Sequence, residues 1–81
     1  MSNPIEQRIY SIQWDIEFCK DEMEELKKQI KTCLESDNDN YIATFITGYA
    51  NSFKENYEKV RVLENEMISL QRIKEYVEKE G

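Results

Sequence analysis

The chain has 81 residues, which is enough for one small domain at most. Charged residues make up 35% and hydrophobic residues 40% of it, and 17 acidic against 11 basic side chains give a net charge of -6. Two glycines and one proline are too few for the turns of a multi-stranded β domain. Because the chain has no histidine, a histidine-based catalytic triad, a histidine zinc ligand and a histidine pH switch are excluded.

The first predicted element is a helix over about residues 4–35. Asn3 suits the N-cap, Pro4 suits the first helical position, and Glu6 is placed to complete a capping box. Apolar residues then recur in alternating steps of four and three, as in the a and d positions of a heptad repeat. These positions are Ile5, Ile9, Ile12, Ile16, Cys19, Met23, Leu26, Ile30 and Cys33.

A polar cluster at residues 36–40 predicts a loop, and a second helix is predicted over about 41–80. The heptad positions of the second helix are Ile42, Ile46, Tyr49, Phe53, Asn56, Val60, Leu63, Met67, Leu70, Lys74 and Val77. The repeat passes through Gly48 without a change of phase, which favours one continuous helix. The alternative is a break near Gly48–Ser52, which would give a three-helix domain.

A short loop between two long helices predicts an antiparallel helical hairpin, so residues 1–81 are read as a single all-α domain. The heptad positions of the two helices would face each other in one seam. Asn56 is the one uncharged polar residue in that seam, and we interpret it as a device that fixes the register. The alternative is that Asn56 points to solvent at a local helix irregularity.

Aromatic residues outside the seam predict binding surfaces, because a hairpin buries only one stripe of each helix. On the first helix they follow one line. On the second, Tyr41 and Phe45 accompany small residues in a stretch without charge, and Tyr57 follows that stretch. Either two copies pair through these patches and form a four-helix bundle, or the patches bind a different protein. The predicted partner-binding residues are Tyr10, Trp14, Phe18, Tyr41, Phe45, Gly48, Ser52 and Tyr57.

We therefore expect a non-enzymatic interaction module: a small regulator, adaptor or inhibitor that binds another protein. One alternative is an acidic mimic of nucleic acid that inhibits a DNA- or RNA-binding protein, with Glu24, Glu25, Asp37 and Asp39 as its contacts. Another is a purely structural coiled-coil assembly unit. The acidic balance argues against direct nucleic-acid binding, and the loop lacks the glycine and glutamate of a calcium site.

No cofactor or metal site is expected from this pattern. The chain has no apolar run of membrane-spanning length, and residues 1–12 lack the apolar core of a secretory signal, so we expect a cytoplasmic protein. The many Ile, Asn and Lys residues suit an AT-rich bacterial or phage genome.

Overall fold

A computed structural model describes residues 3–80 as two long antiparallel helices, α1 from Pro4 to Leu34 and α2 from Asp39 to Glu80. The molecule is a rod of 63 × 19 × 13 Å. This architecture confirms the all-α antiparallel hairpin expected from the heptad spacing. Within the described residues, neither helix is long and apolar enough to cross a lipid bilayer.

The start of α1 follows the predicted cap. Asn3 has an extended backbone, and its Oδ1 accepts a hydrogen bond of 2.8 Å from the Ile5 amide. Pro4 occupies the first turn, where its missing N–H costs no hydrogen bond. The Glu6 carboxylate, predicted to bond back to Asn3, lies 3.4 Å from Lys74 Nζ on α2.

The loop is shorter than the predicted 36–40, because α2 begins at Asp39. Asn38 caps this helix, with its Oδ1 accepting a hydrogen bond of 3.1 Å from the Tyr41 amide. Ser36 Oγ accepts from the Asn38 amide at 3.1 Å, which holds the capping residue in place. Asp39 adds a negative charge in the first turn, where the helix dipole favours it.

The alternative of a break near Gly48–Ser52 is wrong, because α2 is helical throughout residues 39–80. Gly48 has no positive φ, and the helix passes through it with ordinary geometry. The heptad seam on both sides of Gly48 explains this continuity, since packing against α1 outweighs the weak helix preference of one glycine.

The core is the seam between the two helices. All nine heptad residues of α1 are buried or half-buried, and so are those of α2 except Val77. Val77 lies in the last turns of α2, beyond the start of α1, and is exposed. The buried members of the seam, among the described residues, are Ile12, Ile16, Cys19, Leu26, Cys33, Val60 and Leu63.

Ion pairs fix the alignment of the helices near their open end. Arg8 donates to Glu66 through both Nε and Nη2, each at 3.0 Å from a carboxylate oxygen. This bidentate hydrogen bonding raises the pKa of Arg8 above its usual range. Lys74, at a heptad a position, places its Nζ between Glu6 and Glu78. The aliphatic part of Lys74 therefore occupies a seam position, while its charged group lies at the solvent-exposed edge of the seam.

Candidate functional site

Three aromatic side chains form an exposed ridge on α1, which we call the Trp14 ridge: Tyr10, Trp14 and Phe18. Their spacing of four residues places them side by side along the helix, away from the buried stripe of Ile12 and Ile16. Trp14 is 73% exposed, and its two neighbours are exposed to a similar degree. The structure thus brings together the three residues predicted on this helix.

Carboxylates surround the Trp14 ridge. Asp15 and Glu17 lie one turn or less from Trp14, and Asp21 and Glu22 continue beyond Phe18. All four are exposed, and the helical repeat places them beside the aromatic rings rather than at the seam. A partner for this surface would have to offer an apolar groove with basic side chains at its edge.

A second exposed surface, which we call the α2 face, consists of two adjacent rows near the loop. The first row is aromatic: the ring centroids of Tyr41 and Phe45 are 4.7 Å apart, and those of Phe45 and Tyr49 are 6.5 Å apart. The second row contains the small residues Thr44, Gly48 and Ser52, all exposed. Four of the five residues predicted on this helix are in this face: Tyr41, Phe45, Gly48 and Ser52. Tyr49, which was predicted as a seam residue, extends the face to the seam.

Tyr57 does not belong to the α2 face, although the sequence grouped it there. It lies nine residues after Gly48, which is about two and a half helical turns, so the two residues are on opposite sides of α2. The Tyr57 side chain is about half exposed and lies outside both rows of the α2 face. One flat partner surface cannot contact Tyr57 and Gly48 together.

The predicted acidic contacts fall into two separate places. Glu24 and Glu25 are in the middle of α1, whereas Asp37 is in the loop and Asp39 opens α2. The α1 residues are roughly 15 Å from the loop along the helix axis. Lys27 Nζ lies 2.8 Å from Glu24 Oε1, and this hydrogen bond lowers the pKa of Glu24. These positions do not form one continuous row of free negative charge.

Asn56 lies half-buried at its heptad position, and its Nδ2 donates to the Ser52 carbonyl in the same helix at 3.0 Å. The amide therefore satisfies a donor locally, without reaching across to α1 through that bond. A register role would then come from the cost of moving the polar group deeper into the seam. It would not come from a specific bond across the helices.

Further exposed apolar residues line the second half of α2 and were not predicted as binding residues. The sequence could have indicated them, because they are apolar residues outside the heptad a and d positions. They are Val62, Ile68, Ile73 and Tyr76. Ile73 and Tyr76 are three residues apart and therefore neighbours on the helix, whereas charged residues such as Glu66 and Arg72 lie between the others. The four do not form one row of adjacent side chains like that of α1.

Among residues 3–80, no group of three or more Cys, Asp or Glu side chains is arranged to hold a metal ion. The two cysteines, Cys19 and Cys33, are free thiols buried in the seam. Both helices expose large apolar side chains, most of them in the Trp14 ridge, in the α2 face and in the second half of α2. No protein-family model, curated protein or solved structure matches this chain.

Proposed function

We propose that this chain is a non-enzymatic protein-interaction module, a small regulator, adaptor or inhibitor that binds a partner protein through the Trp14 ridge. The observation that carries the proposal is the exposure of three large aromatic side chains in one row, with Trp14 73% exposed. Tryptophan and tyrosine are the residues most enriched among those that dominate binding energy at protein interfaces.

The chemistry of the ridge indicates what kind of partner fits it. Aromatic rings need an apolar groove, and the surrounding carboxylates of Asp15, Glu17, Asp21 and Glu22 need basic side chains opposite them. The partner proposed here is thus a protein with an apolar groove edged by Lys or Arg. Two reduced, buried thiols suit the reducing cytoplasm, which we infer as the location.

The test compares capture of partner proteins from the native host by the wild-type chain and by Trp14→Ser. We expect the substitution to weaken binding by at least about 30-fold, as for a central interface residue. Val62→Ser is the matched control, because Val62 is exposed to a similar degree on α2. Circular dichroism should show the same helix content and thermal midpoint for both variants.

Equal capture by the wild-type chain and Trp14→Ser would reject the ridge as the binding surface. A salt titration adds a second criterion. If basic side chains face the ridge, binding should weaken as ionic strength rises, because exposed charges are screened within about 10 Å at 0.1 M salt. Binding that is independent of salt would contradict the proposed basic edge.

A further inference from the structure

The two rows of the α2 face differ sharply in size. Tyr41, Phe45 and Tyr49 form a ridge of neighbouring rings. Thr44, Gly48 and Ser52 run parallel to it as a groove, because a step of three residues turns the helix by about 60° less than a full turn. Helices pack most often by placing such rows of one helix between the rows of another. The α2 face thus carries both a ridge and a groove of the same pitch.

The hairpin itself does not require a glycine in this groove. A Cβ atom added at Gly48 would meet nothing within 4 Å, so α1 does not require a glycine there. Glycine nevertheless weakens a helix relative to alanine. The Thr44 hydroxyl already donates to the Asn40 carbonyl at 2.7 Å, so an apolar side chain can cover it without stranding its donor.

We propose that two copies of this chain associate through the α2 face, antiparallel about a two-fold axis, with the ridge of each copy in the groove of the other. One antiparallel alignment places each of the three ridge residues against a groove residue of the other copy. Phe45 of one copy lies against Gly48 of the other, Tyr41 against Ser52, and Tyr49 against Thr44. A two-fold axis repeats each contact, as an interface between identical surfaces requires.

Electrostatics favour a second copy as the occupant. Residues 40–53 contain no Asp, Glu, Lys or Arg, so α2 itself has no charge to remove from water along this stretch. The neighbouring charges, Glu25 and Lys28 of α1, lie beside Tyr41 and Tyr49 at the edge of the face and are of opposite sign. A different partner would need an uncharged ridge and groove of the same pitch. A second copy of the chain has both, because it carries the same α2 face.

The hairpin as a whole also exposes more area than a compact monomer of its mass. The chain exposes 6493 Å², whereas a compact monomer of 9.8 kDa exposes about 5,200 Å². The difference, about 1,300 Å², exceeds the 800 Å² or so that each partner contributes to a standard stable interface. The hairpin therefore has surface to spare for one interface without opening its seam.

Sedimentation equilibrium of the full chain over a range of concentrations tests the proposal, with Gly48→Leu as the variant that fills the groove. We expect the wild-type chain to dimerise in the micromolar range and Gly48→Leu to weaken dimerisation at least about tenfold. Ala50→Leu is the matched control, because it also introduces a leucine, two residues away and on the opposite side of α2. The control should dimerise like the wild type.

Circular dichroism separates loss of the interface from loss of the fold. Gly48→Leu should keep the wild-type helix content and should not unfold earlier at equal monomer concentration, since the site is open. A wild-type chain that stays monomeric at high micromolar concentration overturns the proposal. So does a Gly48→Leu variant that dimerises as well as the wild type.

The outcome is independent of the function proposed for the Trp14 ridge. Trp14→Ser should dimerise like the wild type, because Trp14 is on the other helix and about 20 Å from Gly48 along the rod. Dimerisation should also change little between low and high salt, since the α2 face has no charge. If Trp14→Ser abolished dimerisation, the two copies would meet through the Trp14 ridge, and the α2 face would be excluded.

Discussion

Single side chains in the seam contribute very unequally to the stability of the hairpin. Ile12 is 0% exposed and belongs to the cluster that also contains Ile16, Cys19, Val60 and Leu63. We expect Ile12→Ala to lower the free energy of unfolding by 2–5 kcal/mol, roughly, because it removes buried methyl groups and leaves a cavity. Chemical denaturation followed by circular dichroism measures this loss.

Val62→Ala provides the control for Ile12→Ala. It removes methyl groups from a side chain that is 66% exposed, so the expected change is within about 0.5 kcal/mol. Similar losses at both positions would mean that the seam does not supply most of the stability.

Glu24 and Lys27 give the chain a local pH dependence. The hydrogen bond from Lys27 lowers the pKa of the Glu24 carboxyl, and the Lys27 charge acts in the same direction. A lowered folded-state pKa stabilises the fold above the ordinary carboxyl pKa, and this contribution is lost as pH falls through the lowered value. The effect on stability is small because both side chains are exposed.

NMR titration of the Glu24 carboxyl tests this local assignment. Lys27→Gln should raise the pKa of Glu24 back toward its ordinary value, because the charged donor is gone. Lys31→Gln, two helical turns from Glu24, should leave it unchanged. An unaltered Glu24 pKa in Lys27→Gln would show that the pair does not form in solution.

At the scale of the helices, α2 tolerates Gly48 because its seam side is packed on both sides of the glycine. Gly48→Ala should raise the stability of the monomer by about 1 kcal/mol, since alanine is the better helix former and its Cβ meets nothing within 4 Å. Ala50→Gly, in the same stretch, should lower it by a similar amount. Urea denaturation at a concentration where the chain is monomeric measures both.

Opposite signs at these two positions are the expected signature of a continuous helix. If Gly48→Ala left the stability unchanged and Ala50→Gly did so too, the backbone near residue 48 would not be helical in solution. That result would revive the three-helix arrangement.

The helices and their pairing were predictable from the sequence because heptad spacing and loop length both describe the same buried stripe. Ile12 and Leu63 are buried where the repeat places them. The start of α2 was less predictable, since several Asp and Asn residues suit an N-cap and only the Asn38 bond to Tyr41 selects one. The positions of the exposed residues are not constrained by packing between the two helices. Tyr57 was therefore grouped with Gly48 by its place in the chain, although the helix turns it to the other side.

The whole molecule is longer than its mass suggests. Its radius of gyration is 18.5 Å, whereas a compact domain of 81 residues has about 12 Å. Small-angle X-ray scattering of the monomer should therefore give a value near 18.5 Å and the distance distribution of a rod. If the wild-type chain dimerises, the measurement should use Gly48→Leu, because this variant is expected to dimerise more weakly. A value near 12 Å would mean that α2 folds back on the hairpin.

The reactivity of the two buried thiols reports on the opening of the seam. A cysteine reacts with an alkylating reagent only when its sulfur is exposed as thiolate, and Cys19 and Cys33 are almost completely covered. Cys19 is in the middle of the rod and Cys33 is next to the loop. The labelling rate of each thiol therefore measures how often its own segment of the hairpin opens. The same two side chains that fill the interface between the helices record where, and how fast, the helices come apart.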